Sequence, residues 1–472
     1  MHNCQTCPIG DLLANGFKTR QADVRPANSI NTAFQLVAVI FQLQSLQQFG
    51  GVAANCLDWT MVPYVKKSFS KHYKDGLEFI ANEIWERDDT KSIEDDFYKQ
   101  NEQVYRYAMT MTERELKQAV EGLYHNLGTL QSRSGNQLPF SSINYGTCTS
   151  VEGRMVIKAL LEGSINGVGQ FHKTPIFPCG IFQMMKGVNR KKGDPNYDLF
   201  QLALKSTSQR LYPNYVNCDW SGNVGYDKND PRTYMSTMGC RTANSMDING
   251  LGQLKDGRGN ICPVTIIMPT LAMESKSNAL KLYEESDKTV DFKVIHFNCF
   301  KKLLDKKIHE AKDMLIERFE WICSQSPKAA SFMYENKTMA GYIPSEGIRS
   351  ALKHGTLAIG NLGLAETLQI IIQDDHTSEE GMVLAKEIYG LFNKRCKEFK
   401  EKYKLNFGVY NTPAENLCYT AMQKFRGKYG IIPNVSDREY FTNSMHVPVW
   451  KKMNPFEKID IESQLTSYSN AG

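Results

Sequence analysis

Residues 405–425 read LNFGVYNTPAENLCYTAMQKF, and their reading decides the fold class. The run up to Tyr410 has the composition of a buried strand, a short turn follows, and the apolar spacing then becomes helical. Thr412, Pro413 and Glu415 fit the N-cap, first and third helical positions of a capping box, which predicts a helix opening at the turn. Two readings of that turn stay open. It is a well-capped helix and nothing more, or its outward backbone N–H groups receive a phosphate. Glu415 counts against the second, because a carboxylate there repels a phosphate unless it turns away or meets a hydroxyl.

The same alternation continues outward. TPIFPCGIF (174–182) and CPVTIIMP (262–269) read as short buried strands bounded by Pro, Asn or Gly. LLDKKIHEAKDMLIERFEWICSQSP (303–327) has apolar residues at helical spacing and meets Pro327. TSEEGMVLAKEIYGLFNKRCKEFKEKYK (377–404) is a helix with acids at its start and lysines near its end, as the helix dipole favours. In TMTERELKQAVEGLYHNL (110–127), Thr112 and Glu115 have capping-box spacing, so a helix is expected to open there. Strands alternating with helices predict an α/β architecture, a sheet covered by helices that can close into a barrel. No internal repeat or domain boundary stands out, and 219–234 is the most loop-like segment.

Composition narrows the classes. The chain has 472 residues, 41% hydrophobic and 23% charged, with a net charge of +5, which fits a folded protein and not a disordered one. No long basic run exists, so a nucleic-acid stripe is not expected, although sites for anionic phosphates are. The longest apolar stretch, 32–51, is interrupted by Gln35, Gln42 and Gln44, short of the roughly 20 residues a membrane span needs. It reads as a buried helix capped by Asn31 or Thr32 and stopped by Gly50-Gly51. Met1 leads directly into polar sequence without a signal-peptide pattern. Twelve irregularly spaced cysteines point to a reducing, cytoplasmic setting.

Three stretches invite chemistry. Cys240 sits between Gly239 and Arg241 ahead of a Gly/Asn-rich loop; it is either a thiol presented into a cavity, with Arg241 favouring its thiolate, or a small buried cysteine. HGTLAIGNLGLAET (354–367) contains three glycines but neither G-x-G-x-x-G nor a P-loop, so close backbone packing is their expected use. Cys4 and Cys7 form C-x-x-C, yet no second ligand pair exists for zinc and no strand precedes them for a thioredoxin-type site. No metal ligands are predicted.

Taken together, MHNC (1–4), KKGDPNYDLFQLALKSTSQRLYP (191–213), TMGCRT (237–242), DGRGN (256–260), NTPAENLC (411–418), YFTNSMHVPV (440–449) and KMNPFEKIDIE (452–462) resemble the anaerobic, class III ribonucleotide reductases, which are glycyl-radical enzymes. They run in the family's order along nearly the whole chain. The resemblance implies a ten-stranded α/β barrel of two half-barrels with a central finger loop. Cys240 would stand at the fingertip and become a transient thiyl radical, which abstracts the ribose 3′ hydrogen and starts loss of the 2′-hydroxyl. Cys4 would be the second active-site cysteine, on the opposite face of the substrate, with Cys7 a bystander. Asn260 would lie close to the ribose. Asn411, Thr412, Pro413, Ala414, Glu415 and Asn416 would form the turn receiving the substrate phosphates.

Further expectations follow from the resemblance. The substrates are ribonucleoside triphosphates, the reductant is formate or a small dithiol protein, a nucleoside triphosphate acts as effector, and the enzyme is a homodimer activated by a radical-SAM activase. The family's radical glycine, in an Arg-Val-Cys-Gly-Tyr-like stretch, and its four-cysteine zinc site are both missing from this sequence, whose last cysteine is Cys418. The family's ATP cone has no counterpart either. Residues 1–472 are therefore expected to be a single catalytic barrel domain, truncated at both ends relative to the family and inactive alone. A separate C-terminal glycyl-radical fragment would complete it. The alternatives are a nucleotide-binding fragment without catalysis, or another glycyl-radical enzyme such as a pyruvate formate-lyase relative; there, adjacent finger cysteines can occur, whereas Cys240 is flanked by Gly and Arg.

Overall fold

The computed structural model describes residues 3–133, 135–239 and 242–471; the expected fingertip, Cys240 with Arg241, lies outside the described residues. The chain divides into two compact units, each assembled from separate segments.

The first unit comprises Met1–Cys240, Gln253–Gly259 and Gln325–Ala351. Its strands are β1 (Cys4–Cys7), β2 (Val52–Ala54), β3 (Ser141–Tyr145), β4 (Cys179–Met184) and β5 (Asn214–Asn217). All pair in parallel in chain order, with registers Gln5↔Val52, Val52↔Ser141, Ser142↔Cys179 and Ile181↔Asn214. Parallel neighbours need long crossovers. These are helices: α1 (Ile30–Ser45) before β2, α2 (Leu57–Gly76) and α3 (Glu102–Thr129) before β3, α4 (Val151–Asn166) before β4, and α5 (Tyr197–Arg210) before β5.

β1 through β4 are buried almost throughout, as strands covered on both faces must be. Ile30, Phe34, Val37, Phe41, Val65, Val120, Leu160 and Phe182 build one core at 0–1% exposure, each large side chain contributing about 2 kcal/mol by leaving water. Cys7 belongs to this core, and burial pushes its thiol well above the usual range, as suits an inert packing residue. Cys4 is held in place in β1, because Gln5 N donates to Gly51 O at 3.0 Å and Gly50 N to Asn3 O at 2.7 Å.

Two helix starts differ from expectation. α1 is capped by Ser29, whose side chain accepts from Thr32 N, and it ends at Ser45, so Gly50-Gly51 leads into β2 instead of stopping the helix. α3 begins at Glu102 behind Asn101. Thr112 lies mid-helix and bonds Ala108 O, while Glu115 accepts from Asn31 N, Ser68 and His72; tertiary partners outbid the local capping pattern.

The second unit comprises Arg241–Gly252, Asn260–Ser324 and Leu352–Gly472. It carries β6 (Gly259–Ile267), β7 (Thr356–Leu362) and β8 (Asn406–Asn411), parallel and adjacent in that order. α6 (Met268–Glu285) and α7 (Phe292–Cys323) follow β6, α8 (Leu364–Ile372) and α9 (Glu379–Tyr403) follow β7, and α10 (Glu415–Tyr429) follows β8. α9 matches its sequence reading: Ser378 accepts from Gly381 N, with Glu379 and Glu380 in the first turn and Lys400 and Lys402 in the last. Where ten barrel strands were expected, the described residues place five strands in the parallel arrangement of the first unit and three in that of the second; the short strands Phe17–Lys18, Asp23–Val24, Thr237–Met238 and Thr242–Ala243 form separate pairs. No described helix is long and apolar enough to cross a membrane.

Candidate functional site

In the first unit the site is built around Cys4, the first residue of β1, which is 8% exposed. Gly51 N donates to Cys4 Sγ at 3.2 Å. Gly50 has no room for a side chain, since a Cβ there would stand 2.7 Å from Cys4 Sγ. The segment leading to Cys240 lies against the same strands. Asn144 on β3 exchanges two 3.0 Å bonds with Thr237, and Gly239 N donates to Ser142 Oγ at 3.0 Å. Met238 packs with Cys4 and Ala53. Gly51 bonds Cys4 Sγ, and its Cβ position is 3.5 Å from the backbone N of Gly239, the last described residue before Cys240. Gly239 has φ +67°, and a Cβ there would meet the Phe140 ring at 2.7 Å, so only glycine fits ahead of Cys240.

In the second unit the residues after 241 are held by β8. Thr242 Oγ1 bonds Tyr410 OH at 2.9 Å, and Ala243 N donates to Ala471 O, whose own N–H reaches Val409 O. Asn260, on β6, is fully buried, and neither atom of its amide has a partner among the described residues. Its register partner Thr356 on β7 is equally buried with an unpartnered hydroxyl. Orphaned polar groups of this kind cost about 1–3 kcal/mol each unless water or a ligand satisfies them.

The Asn411–Asn416 turn follows β8 as read, but its capping differs. Ala414 is the N-cap, without a side-chain bond, and Glu415 is the first helical residue, exposed and at φ +24°. Thr412 does not cap. Its hydroxyl meets Thr265 Oγ1 at 2.9 Å over Gly360, where a Cβ would collide with it. Asn443 Oδ1 accepts from Ala414 N at 2.7 Å, and Ser444 Oγ donates to Thr412 O at 2.9 Å. Tyr389, whose phenol burial holds protonated, donates to Asn361 Oδ1 at 2.6 Å and Asn411 Oδ1 at 3.4 Å. Pro413 is half-buried and Asn416 exposed.

The second unit does not bring Asn260 and this turn side by side. Asn260 registers with Thr356 and Thr356 with Asn406, whereas the turn begins at Asn411, five residues and so about 16 Å of strand rise further on. Sequence reasoning missed Gly51, Ser142, Asn144 and Thr356. Gly50-Gly51 was the one signal available, and it read as a helix stop. Among the described residues no group of three or more His, Cys, Asp or Glu is arranged to hold a metal.

The family model described as anaerobic ribonucleoside-triphosphate reductase matches residues 1–472. The anaerobic ribonucleoside-triphosphate reductase of Haemophilus influenzae is 30% identical over 481 residues, covering 100% of this chain and 61% of the relative. That of Enterobacteria phage T4 is 30% identical, covering 98% of this chain and 69% of the phage protein. The chain thus spans 61% of the Haemophilus relative's length. The fold is similar to the anaerobic ribonucleotide reductase from Thermotoga maritima solved with dATP bound in the specificity site, with a TM-score of 0.67 at 15% identity, covering 100% of this chain and 70% of that one.

Proposed function

Because the chain belongs to the anaerobic ribonucleoside-triphosphate reductase family, we propose that residues 1–472 form its substrate-reducing barrel. They would convert ribonucleoside triphosphates to 2′-deoxyribonucleoside triphosphates without oxygen. The observation that carries this reading is Gly51, in contact with both the Cys4 sulfur and the residue preceding Cys240. It supports Cys4 and Cys240 as a pair of thiols facing one bound ribose; the proposal takes Cys240 as the tip of a finger loop in a ten-stranded barrel that acts as one catalytic domain.

The roles divide by position. A glycyl radical, which residues 1–472 do not carry, would supply the oxidation of Cys240, the thiol's hydrogen atom passing to that glycine as the thiyl forms. Cys240 then takes the 3′ hydrogen, forming S–H as C–H breaks, and the 2′-hydroxyl leaves as water. Formate, oxidised to carbon dioxide, or a dithiol, oxidised to a disulfide, would supply the two electrons and two hydrogens in all, relayed through Cys4. Cys240 would return its hydrogen to C3′ and become a thiyl again. The unpartnered Asn260 amide suits hydrogen bonding to ribose hydroxyls, and Thr356 beside it offers another hydroxyl. The turn Asn411, Thr412, Pro413, Ala414, Glu415, Asn416 receives the phosphates at the start of α10. The substrate then lies along the strands, ribose toward Asn260 and phosphates toward Asn411.

The proposal includes a homodimer, a nucleoside triphosphate effector and activation by a radical-SAM activase. Its test is anaerobic reconstitution with the activase and a polypeptide bearing the family's glycyl-radical stretch. Deoxynucleotide is expected from the combination and none from residues 1–472 alone. Product formed by residues 1–472 alone would contradict the assignment of the radical source.

A further inference from the structure

A chain of buried amides leads to the Cys4 sulfur from behind. Gln44, near the C-terminal end of α1, is fully buried, as is Gln5 on β1, and Gln48 is 3% exposed. Gln44 Nε2 donates to Gln5 Oε1 at 2.5 Å and to Gln48 Oε1 at 2.9 Å, and Thr338 Oγ1 donates to Gln44 Oε1 at 3.3 Å. Gln5 Nε2 in turn donates to Thr338 O. The end of the chain is Gln48 Nε2, which donates to Gly51 O and, at 3.5 Å, to Gly50 O. Gly50 O belongs to the same peptide group whose N–H points at Cys4 Sγ.

Three buried glutamines are an unusual element of a helix-covered core, since each amide must be fully satisfied to be tolerated. Here they are satisfied by one another, and the last of them grips a diglycine turn. Glycine peptides are the freest to rotate; Asn3 O and Gln5 N hold the turn from the β1 side, and Gln48 holds it from the helix side, which narrows the aim of the Gly51 N–H. The missing Cβ at Gly50 leaves the sulfur its slot, and the gripped peptide directs a donor into that slot.

Resting on the reading of Cys4 as a working thiol, we propose that Gln44 and Gln48 are positioning residues for the reaction. Through the Gly50-Gly51 peptide they lock the direction of the Cys4 sulfur toward the substrate. They act through Gly51 and do not touch the ribose themselves.

The test uses residues 1–472 with Gln48→Met, which keeps the length of the side chain and removes its hydrogen bonds. Gln44→Met, one bond further back, serves if the first variant does not fold. Alkylation by iodoacetamide is followed separately at Cys4 and Cys7 by peptide mass spectrometry. The expected result is about a fivefold slower reaction at Cys4, because the N–H that favours its thiolate loses its aim and one ordinary hydrogen bond is worth about that factor, with Cys7 unchanged. In the reconstituted system, kcat falls by a similar factor while KM for the ribonucleotide holds. An unchanged Cys4 rate overturns the proposal. So does equal acceleration at Cys4 and Cys7, which would mean that β1 has merely loosened. Labelling needs no turnover, so it decides the amide chain even if the unmodified protein makes no deoxynucleotide, a result that would count against the functional reading instead.

Discussion

Gly239 gives its backbone N–H to Ser142 Oγ at 3.0 Å, tying the residue ahead of Cys240 to the middle of a buried strand. A thiol meant to attack one C–H bond must be held within a fraction of an ångström of it. Ser142→Ala removes the tie without altering volume greatly. The expected outcome is a fall in kcat of about tenfold with KM nearly constant, measured on the reconstituted system. Gly239→Ala, which forces a Cβ against Phe140 at φ +67°, abolishes turnover.

Asn260 separates function from stability. Its amide is buried and unpartnered, so Asn260→Leu, similar in size and without polar atoms, is expected to keep the unfolding free energy or raise it by up to about 2 kcal/mol. Denaturant unfolding measures this. The same variant loses deoxynucleotide formation. A variant that is both destabilised and active would show that the amide is a structural group.

At the Asn411–Asn416 turn, Asn443→Ala frees Ala414 N and loosens the segment that Asn443 now pins at 2.7 Å. If the turn receives the phosphates as proposed, ribonucleotide affinity is expected to weaken about tenfold with kcat little changed, because the phosphates do not react. Titration with a ribonucleoside triphosphate by calorimetry reads this directly.

Two neighbouring groups make stability depend on pH in opposite senses. Asp256, whose Oδ1 is enclosed, is pushed to about 8 by burial and by Asp11. Its folded value lies above its unfolded one, so its contribution is complete below about pH 4 and is lost as pH rises through about 8. Lys255, at 1% exposure, is lowered to about 7 by burial and by Arg258. The unfolded chain then holds the extra proton between about 7 and 10.5, and stability recovers as pH rises across that range. Urea unfolding is expected to reveal a minimum near pH 7–8 from this pair. Asp256→Asn should remove the descending limb and leave the rising one.

The alternation of strands and helices was legible because burial imposes periodicity on the sequence, as in 405–425 and 377–404. Helix starts were less so. Thr112 and Glu115 have the spacing of a cap but sit inside α3, where His72, Ser68 and Asn31 supply better partners for the carboxylate. Thr412 likewise prefers Thr265 to a capping role. The candidate cysteines emerged only through family motifs, since one thiol among twelve carries no local mark. Gly51, Ser142 and Thr356 were invisible for a different reason: each acts through a neighbour more than 40 positions away, and a single sequence does not encode which distant strands become adjacent.

The most direct measurement is anaerobic deoxynucleotide formation by residues 1–472 combined with a glycyl-radical polypeptide and its activase, comparing the unmodified chain with Cys240→Ala and Cys4→Ala. The account predicts product from the unmodified chain and none from either variant, with circular dichroism unchanged. Product formed by the Cys240→Ala protein would contradict it.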